Sequence, residues 1–158
     1  RMTGWILAGL LIAGAAGLAY IRLAPSDLAR WHTDFPEGLP ASTQAFCIRP
    51  DNRYGPLQEE PMAVLARLDA IALATPRTKR LAGSPAEGRI TWITRSALFG
   101  FPDYTTAQVV DGPGLCIAGR QRFGSQDLGV NAARIGGWAQ ELLGLTEPPA
   151  MTGFSGAL

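Results

Sequence analysis

The chain has 158 residues, 47% hydrophobic and 17% charged, and its 14 Lys and Arg nearly balance 13 Asp and Glu for a formal net charge of +1. That balance leaves no excess to hold a nucleic-acid backbone, so nucleic acid is disfavoured as a partner. Two cysteines in no CxxC or Cys/His spacing, and a single histidine, His32, leave little for a zinc site or a Ser-His-Asp device, and no cofactor or metal is implied.

From Met2 to Ile21 no side chain is charged, and the run is about as long as an α-helix must be to cross a bilayer's hydrocarbon core. Every backbone N–H and C=O in lipid must be paired within its own segment, so residues 1–22 are predicted to be a transmembrane anchor. Trp5 and Tyr20 fall near the two ends, the depth that amphipathic rings prefer, and Arg22 follows. Gly9, Ala13 and Gly17 recur every fourth residue, a small-residue face on which another membrane helix can pack. A cleaved signal is the competing reading, with Ala13-Gly14-Ala15 or Ala19 as the cleavage signal, but the basic n-region is thin. Met2 reads as the initiator, so the charge of Arg1 is left out of the topology argument. Arg22 and Arg30 on the distal side are opposed only by Arg1 and the α-amino group, so a single-pass setting is expected with its orientation left open by charge.

Residues 23–60 carry Pro25, Pro36, Pro40, Pro50 and Pro56 and read as a tether and wrapping segment, broken only by a short helix near 26–31. Over 61–74, Val64, Leu65, Leu68, Ile71 and Ala72 recur at three and four, predicting an amphipathic helix with Pro61 in its first turn and Arg67 and Asp69 on the outer side. Pro76 stops it. The basic cluster at 76–80 reads as a solvated loop and strand start, with contact to anionic lipid as the functional alternative.

The period then changes from 3.6 to two. Strands are predicted at 78–82, 89–95, 104–110 and 115–122, the last two joined by the turn Asp111-Gly112-Pro113-Gly114. The glycines of GSPAEG at 83–88 lack the Lys-Ser/Thr ending of a phosphate-cradling loop and read as turns. A final helix is expected from about 128 to 143, with Ile135, Trp138 and Leu142 on one face, Asp127 capping its first turn and Gly144 in the left-handed position that ends it. Residues 145–158 read as a loose tail.

The predicted fold is α+β. A single N-terminal transmembrane helix precedes a two-layer domain over 61–144, three or four antiparallel strands covered by two helices. The sheet's other face is left to solvent, the wrapping segment or a ligand. Cys47 and Cys116 can pair only in an oxidising compartment and only if their Cβ atoms approach, which the sequence leaves open.

The stretches RITWITRSALFGFPDYTTAQV and LCIAGRQRFGSQDLGVNAARIGGW carry a resemblance. Over roughly residues 61–143 the chain resembles a membrane-associated bacterial and plastid family, domain of unknown function 1499. That family's run reads close to RSxSRxGxSDLGxNxxRI, matched here by Arg120, Arg122, Gly124, Asp127, Leu128, Gly129, Asn131, Arg134 and Ile135. Gln121 and Gln126 replace the usual small hydroxyl residues, which argues against hydroxyl-based chemistry. GFPD at 100–103 is similar to the family's strand-loop signature, and Cys47-Ile48-Arg49-Pro50 to its Cys-Pro-rich segment. The resemblance implies a fold boundary and a membrane context, expected here as single-pass in a bacterial inner membrane with the domain on the periplasmic side, but no reaction.

The polar constellation is Arg95, Asp103, Arg120, Arg122, Asp127, Asn131 and Arg134. Guanidinium groups beside the N–H groups of a helix start suit a phosphate or carboxylate. Asp127 at that dipole end would repel a second anion, which favours structural duty. Glu59 and Glu60 diverge as neighbours, Asp69 and Glu87 have no evident partner, and no catalytic residue is named. The reading is a membrane-anchored, non-enzymatic interaction or stabilising module for an integral-membrane partner. A lipid or small-hydrophobe binder is the alternative, with Trp92, Phe99, Phe101, Tyr104, Phe123 and Trp138 lining its cavity, and an enzyme of unassigned class comes last.

Overall fold

The structure, a computed structural model, describes residues 2–34, 43–123 and 129–153. The uncharged run, extended by Arg22 and Leu23, forms helix α1, Met2–Leu23, long and apolar enough to cross a membrane, and no residue of Thr3–Leu23 is buried against the rest of the chain. One turn of helix, α2 at Leu28–Trp31, follows where Asp27 Oδ1 accepts the Ala29 N–H at 3.0 Å.

The Pro-rich tether contributes more than that turn. Gln44–Ile48 is a strand, β1, that the sequence reading did not anticipate. Its alternation sends Phe46 and Ile48 into the core, and Pro40 and Pro50 bracket the strand instead of preventing it.

Helix α3, Pro61–Ala74, begins where Glu60 Oε2 accepts the Ala63 N–H at 3.0 Å. Strand β2 is Thr78–Ser84, followed by a 3-10 turn at Pro85–Glu87 and by β3, Arg89–Arg95. Strands β4, Pro102–Val110, and β5, Gly114–Gln121, make the hairpin. Helix α4 is Val130–Leu143, and Thr152–Gly153 forms a two-residue strand, β6.

All pairings are antiparallel, in the order β2-β3-β4-β5-β1-β6. The α+β class holds, but the expected three or four strands become five with a short edge strand, because both flanks of the predicted domain add to the sheet. Nor is the start of the tail loose: Pro149 is buried, Met151 packs on the core, and Thr152 pairs with Ala45.

Helices α3 and α4 cover one sheet face. Val64, Leu65, Leu68 and Ala72 from α3 and Ile135, Trp138, Ala139 and Leu142 from α4 pack on Phe46, Ile48, Ile90, Trp92, Ala107, Leu115 and Ile117. Full burial of such side chains stabilises by about 1.5–3 kcal/mol each before chain entropy is set against it. Helix α4 can lie close to β5 because position 119 is glycine: a Cβ there would stand 2.9 Å from Asn131 Oδ1. The helix starts later than expected, with Gly129 (φ 80°) at its N-cap, while Asp127 lies outside the described residues. Gly144 ends it in the left-handed conformation, φ 63°.

One polar residue reverses its expected side. Asp69 is buried, not outward, and accepts the Trp92 Nε1–H at 2.9 Å while pairing with Arg80. Cys47 and Cys116 are register partners on β1 and β5, their Cα atoms 4.1 Å apart, and form a disulfide.

Candidate functional site

Strand alternation sends Arg89, Thr91 and Arg95 of β3, Tyr104 and Thr106 of β4, and Ala118 and Arg120 of β5 to the face that α3 and α4 leave uncovered. Of the three occupants foreseen for that face, the wrapping segment takes it. Trp31 is buried there, stacked on Tyr104 with ring centroids 3.9 Å apart, and Ser26 Oγ lies 2.6 Å from the Tyr104 hydroxyl.

Guanidinium groups hold this segment by its main chain. Arg120 donates to the Trp31 carbonyl at 2.5 Å and the Arg30 carbonyl at 3.1 Å, with its charge 5.3 Å from the Trp31 ring centroid. Arg122 donates to the carbonyls of Pro25 (3.1 Å) and Ala24 (3.4 Å). Arg95 reaches the end of α1 itself, donating to Ile21 O at 3.3 Å and to Gly100 O at 2.9 Å. From the other side Arg22 donates to the carbonyls of Leu98 (3.2 Å) and Phe99 (3.4 Å). Charged donors on neutral acceptors give stronger bonds than neutral pairs do. Burial, and then the charge of Arg30, pull the Arg120 pKa below its usual value.

A hydroxyl relay runs beside the clamp. Arg89 Nε donates to His32 Nε2 at 3.4 Å, so the neutral ring carries its proton on Nδ1 and donates to Thr91 Oγ1 at 2.8 Å. Thr91 and Thr106 hydroxyls are 2.8 Å apart, and Thr106 donates to Trp31 O at 3.4 Å. Arg89 also pairs with Asp34. Burial first and Arg89 second lower the His32 pKa, against smaller opposing effects of Glu87 and Asp34.

The predicted constellation is therefore split by the sheet. Arg95, Arg120 and Arg122 stand on the strap side. On the helix side, Arg134 donates to Asn131 Oδ1 at 2.8 Å and to Asp103 Oδ2 at 3.2 Å. These two groups do not share one anion pocket, and Asp127 is outside the described residues. The aromatics nominated for a cavity also part company. Trp92 and Trp138 meet edge to face in the core, Tyr104 lies under Trp31, and Phe99, Phe101 and Phe123 gather near the end of α1. Among the described residues no three His, Cys, Asp or Glu side chains converge as a metal cage. Sequence reasoning missed Arg22, Ser26 and Trp31, although the shared parity of Arg120 and Arg122 on one strand was a signal that both face the same side.

A family model described as a protein of unknown function (DUF1499) matches residues 32–142. The chain belongs to the DUF1499 family. No curated protein and no solved structure matches it. The DUF1499 region begins at His32, so it takes in β1, the disulfide and both covering helices. It supplies Arg95, Arg120 and Arg122 of the clamp, while the carbonyls they hold at positions 21–31 precede it.

Proposed function

We propose that the chain is a single-pass membrane protein whose DUF1499 domain is a non-enzymatic interaction or stabilising module for an integral-membrane partner. The observation that carries this reading is the pairing of an apolar helix with no buried residue over Thr3–Leu23 and a clamp that ties its end to the sheet. Such a helix needs an apolar surrounding that the chain does not itself supply. A Cβ added at Gly9 or Gly17 would meet nothing within 4 Å, which leaves the Gly9, Ala13, Gly17 face available to another helix. The Cys47–Cys116 bond fits a domain on the oxidising, periplasmic side. Lipid binding within the domain is the weaker reading, because the proposed lining residues lie on opposite sides of the sheet and the space between sheet and helices is filled by interlocking side chains.

Purification of the full chain in mild detergent tests this. The expected result is one stoichiometric integral-membrane protein, lost when Gly9 and Gly17 are replaced by Leu. Recovery of the chain in the aqueous fraction without detergent would overturn the anchor. A lipid retained by the domain in native mass spectrometry, with no protein partner, would favour the weaker reading.

A further inference from the structure

The loop joining β3 to β4 carries an apolar tip that faces away from the core. It is closed on itself: Ser96 N–H donates to Phe101 O at 3.0 Å, Gly100 N–H to Ser96 O at 3.2 Å, and Phe101 N–H to Ser96 Oγ at 2.9 Å. Gly100 makes the turn at φ +73°, in the left-handed region. The apolar side chains are turned outward instead of being folded under: Leu98 is 73% exposed, Phe99 45% and Phe101 38%.

Position makes this exposure informative. The loop touches the last turn of α1, where Arg22 donates to the carbonyls of Leu98 and Phe99 and Arg95 donates to Ile21 O. Tyr20 meets Phe123 edge-on at 6.4 Å, and Phe123 meets Phe101 at 6.0 Å, so an aromatic row runs from the helix into the loop. Thr3–Leu23 has 21 residues and therefore spans about 31 Å, the thickness of a hydrocarbon core of about 30 Å. Residues touching its last turn thus lie at the headgroup level.

The charges agree with that depth. None of the four ion pairs among the described residues involves Arg22, Arg95 or Arg122. Each donates to main-chain carbonyls and has no carboxylate partner among the described residues, which suits the phosphates of a lipid surface. Aromatic and aliphatic side chains beside arginines are the composition that rests at the boundary between headgroups and acyl chains.

The geometry points to a second membrane contact: Leu98, Phe99 and Phe101 enter the headgroup–acyl boundary beside α1, so that the domain lies against the bilayer at a fixed tilt instead of hanging from a free tether. This inference rests on the anchor reading, and the test separates the two. The full chain, with both native cysteines bonded, is reconstituted in phosphatidylethanolamine–phosphatidylglycerol vesicles carrying nitroxide lipids. An environment-sensitive fluorophore is attached at Leu98→Cys, at Leu11→Cys in mid-helix, or at Ala86→Cys, which lies at the opposite end of β3.

A shallow nitroxide is expected to lower emission at position 98 by about twofold, the response of a probe seated at the interface, and to leave position 86 unchanged. Quenching at 11 by a deep nitroxide, with position 98 behaving like 86, overturns the second contact while the anchor stands. Absence of quenching at position 11 overturns the anchor and this inference together.

Discussion

Trp31 lies flat on Tyr104, with ring centroids 3.9 Å apart and planes 13° from parallel. The stack joins the segment leaving α1 to the middle of the sheet, and Arg120 closes over it from β5. Replacing Trp31 with Ala is expected to destabilise the fold by about 3–5 kcal/mol, the usual cost of deleting a buried indole. Thermal unfolding followed by circular dichroism measures this, and limited proteolysis should show new cleavage within 24–34. An unchanged melting temperature would mean that the strap is not part of the cooperative unit.

Asp69 offers a second measurement. Its replacement by Ala leaves the buried Trp92 Nε1–H and Arg80 without their acceptor. The expected loss is about 2 kcal/mol, dominated by the orphaned indole N–H because Arg80 can turn to water. Urea denaturation of Asp69→Ala against Asp69→Asn checks it, since the amide oxygen can still accept from Trp92 and should recover part of the loss.

His32 predicts a dependence on acidity. Its pKa is lowered from 6.5 in the folded state, so the unfolded chain takes up the proton first as pH falls. Stability from this residue is fully present above 6.5 and declines below it, down to the folded-state value. Protonation puts a positive charge beside Arg89, and Asp34 and Glu87 only partly offset it. The melting temperature should fall more between about pH 7 and about pH 5 in the native chain than in His32→Gln. Equal slopes would remove His32 as the cause.

Gly119→Ala tests how closely α4 is seated. The new methyl would lie 2.9–3.1 Å from atoms of Asn131, so the first turn of α4 must lift away from β5. A loss of about 1–3 kcal/mol is expected. Ala at Gly137, where nothing lies within 4 Å, should cost nothing or stabilise the helix.

Much of this architecture is legible in the residues. The spacing of Val64, Leu65 and Leu68 and the flanking prolines fix α3, and the alternation from Arg89 to Arg95 fixes β3 with the same ends. Strand β1 escapes because five residues between prolines resemble a linker until a neighbouring strand pairs with them. Asp69 misleads because helical periodicity assigns a side without knowing that Arg80 and Trp92 wait there. The arginine cluster reads as one site in the sequence because proximity hides parity. Asp103 and Tyr104 are adjacent yet point to opposite faces, so the first joins Arg134 and the second joins Trp31.

Carbonyl oxygens are alike in every amino acid, and it is carbonyls that Arg95, Arg120 and Arg122 hold along the strap. Recognition of this kind responds to the path of the chain and is blind to its lettering. Ala24 is consequently free to drift in evolution or in a mutational scan without loosening the grip, whereas Trp31 and His32, whose rings are themselves held, are not.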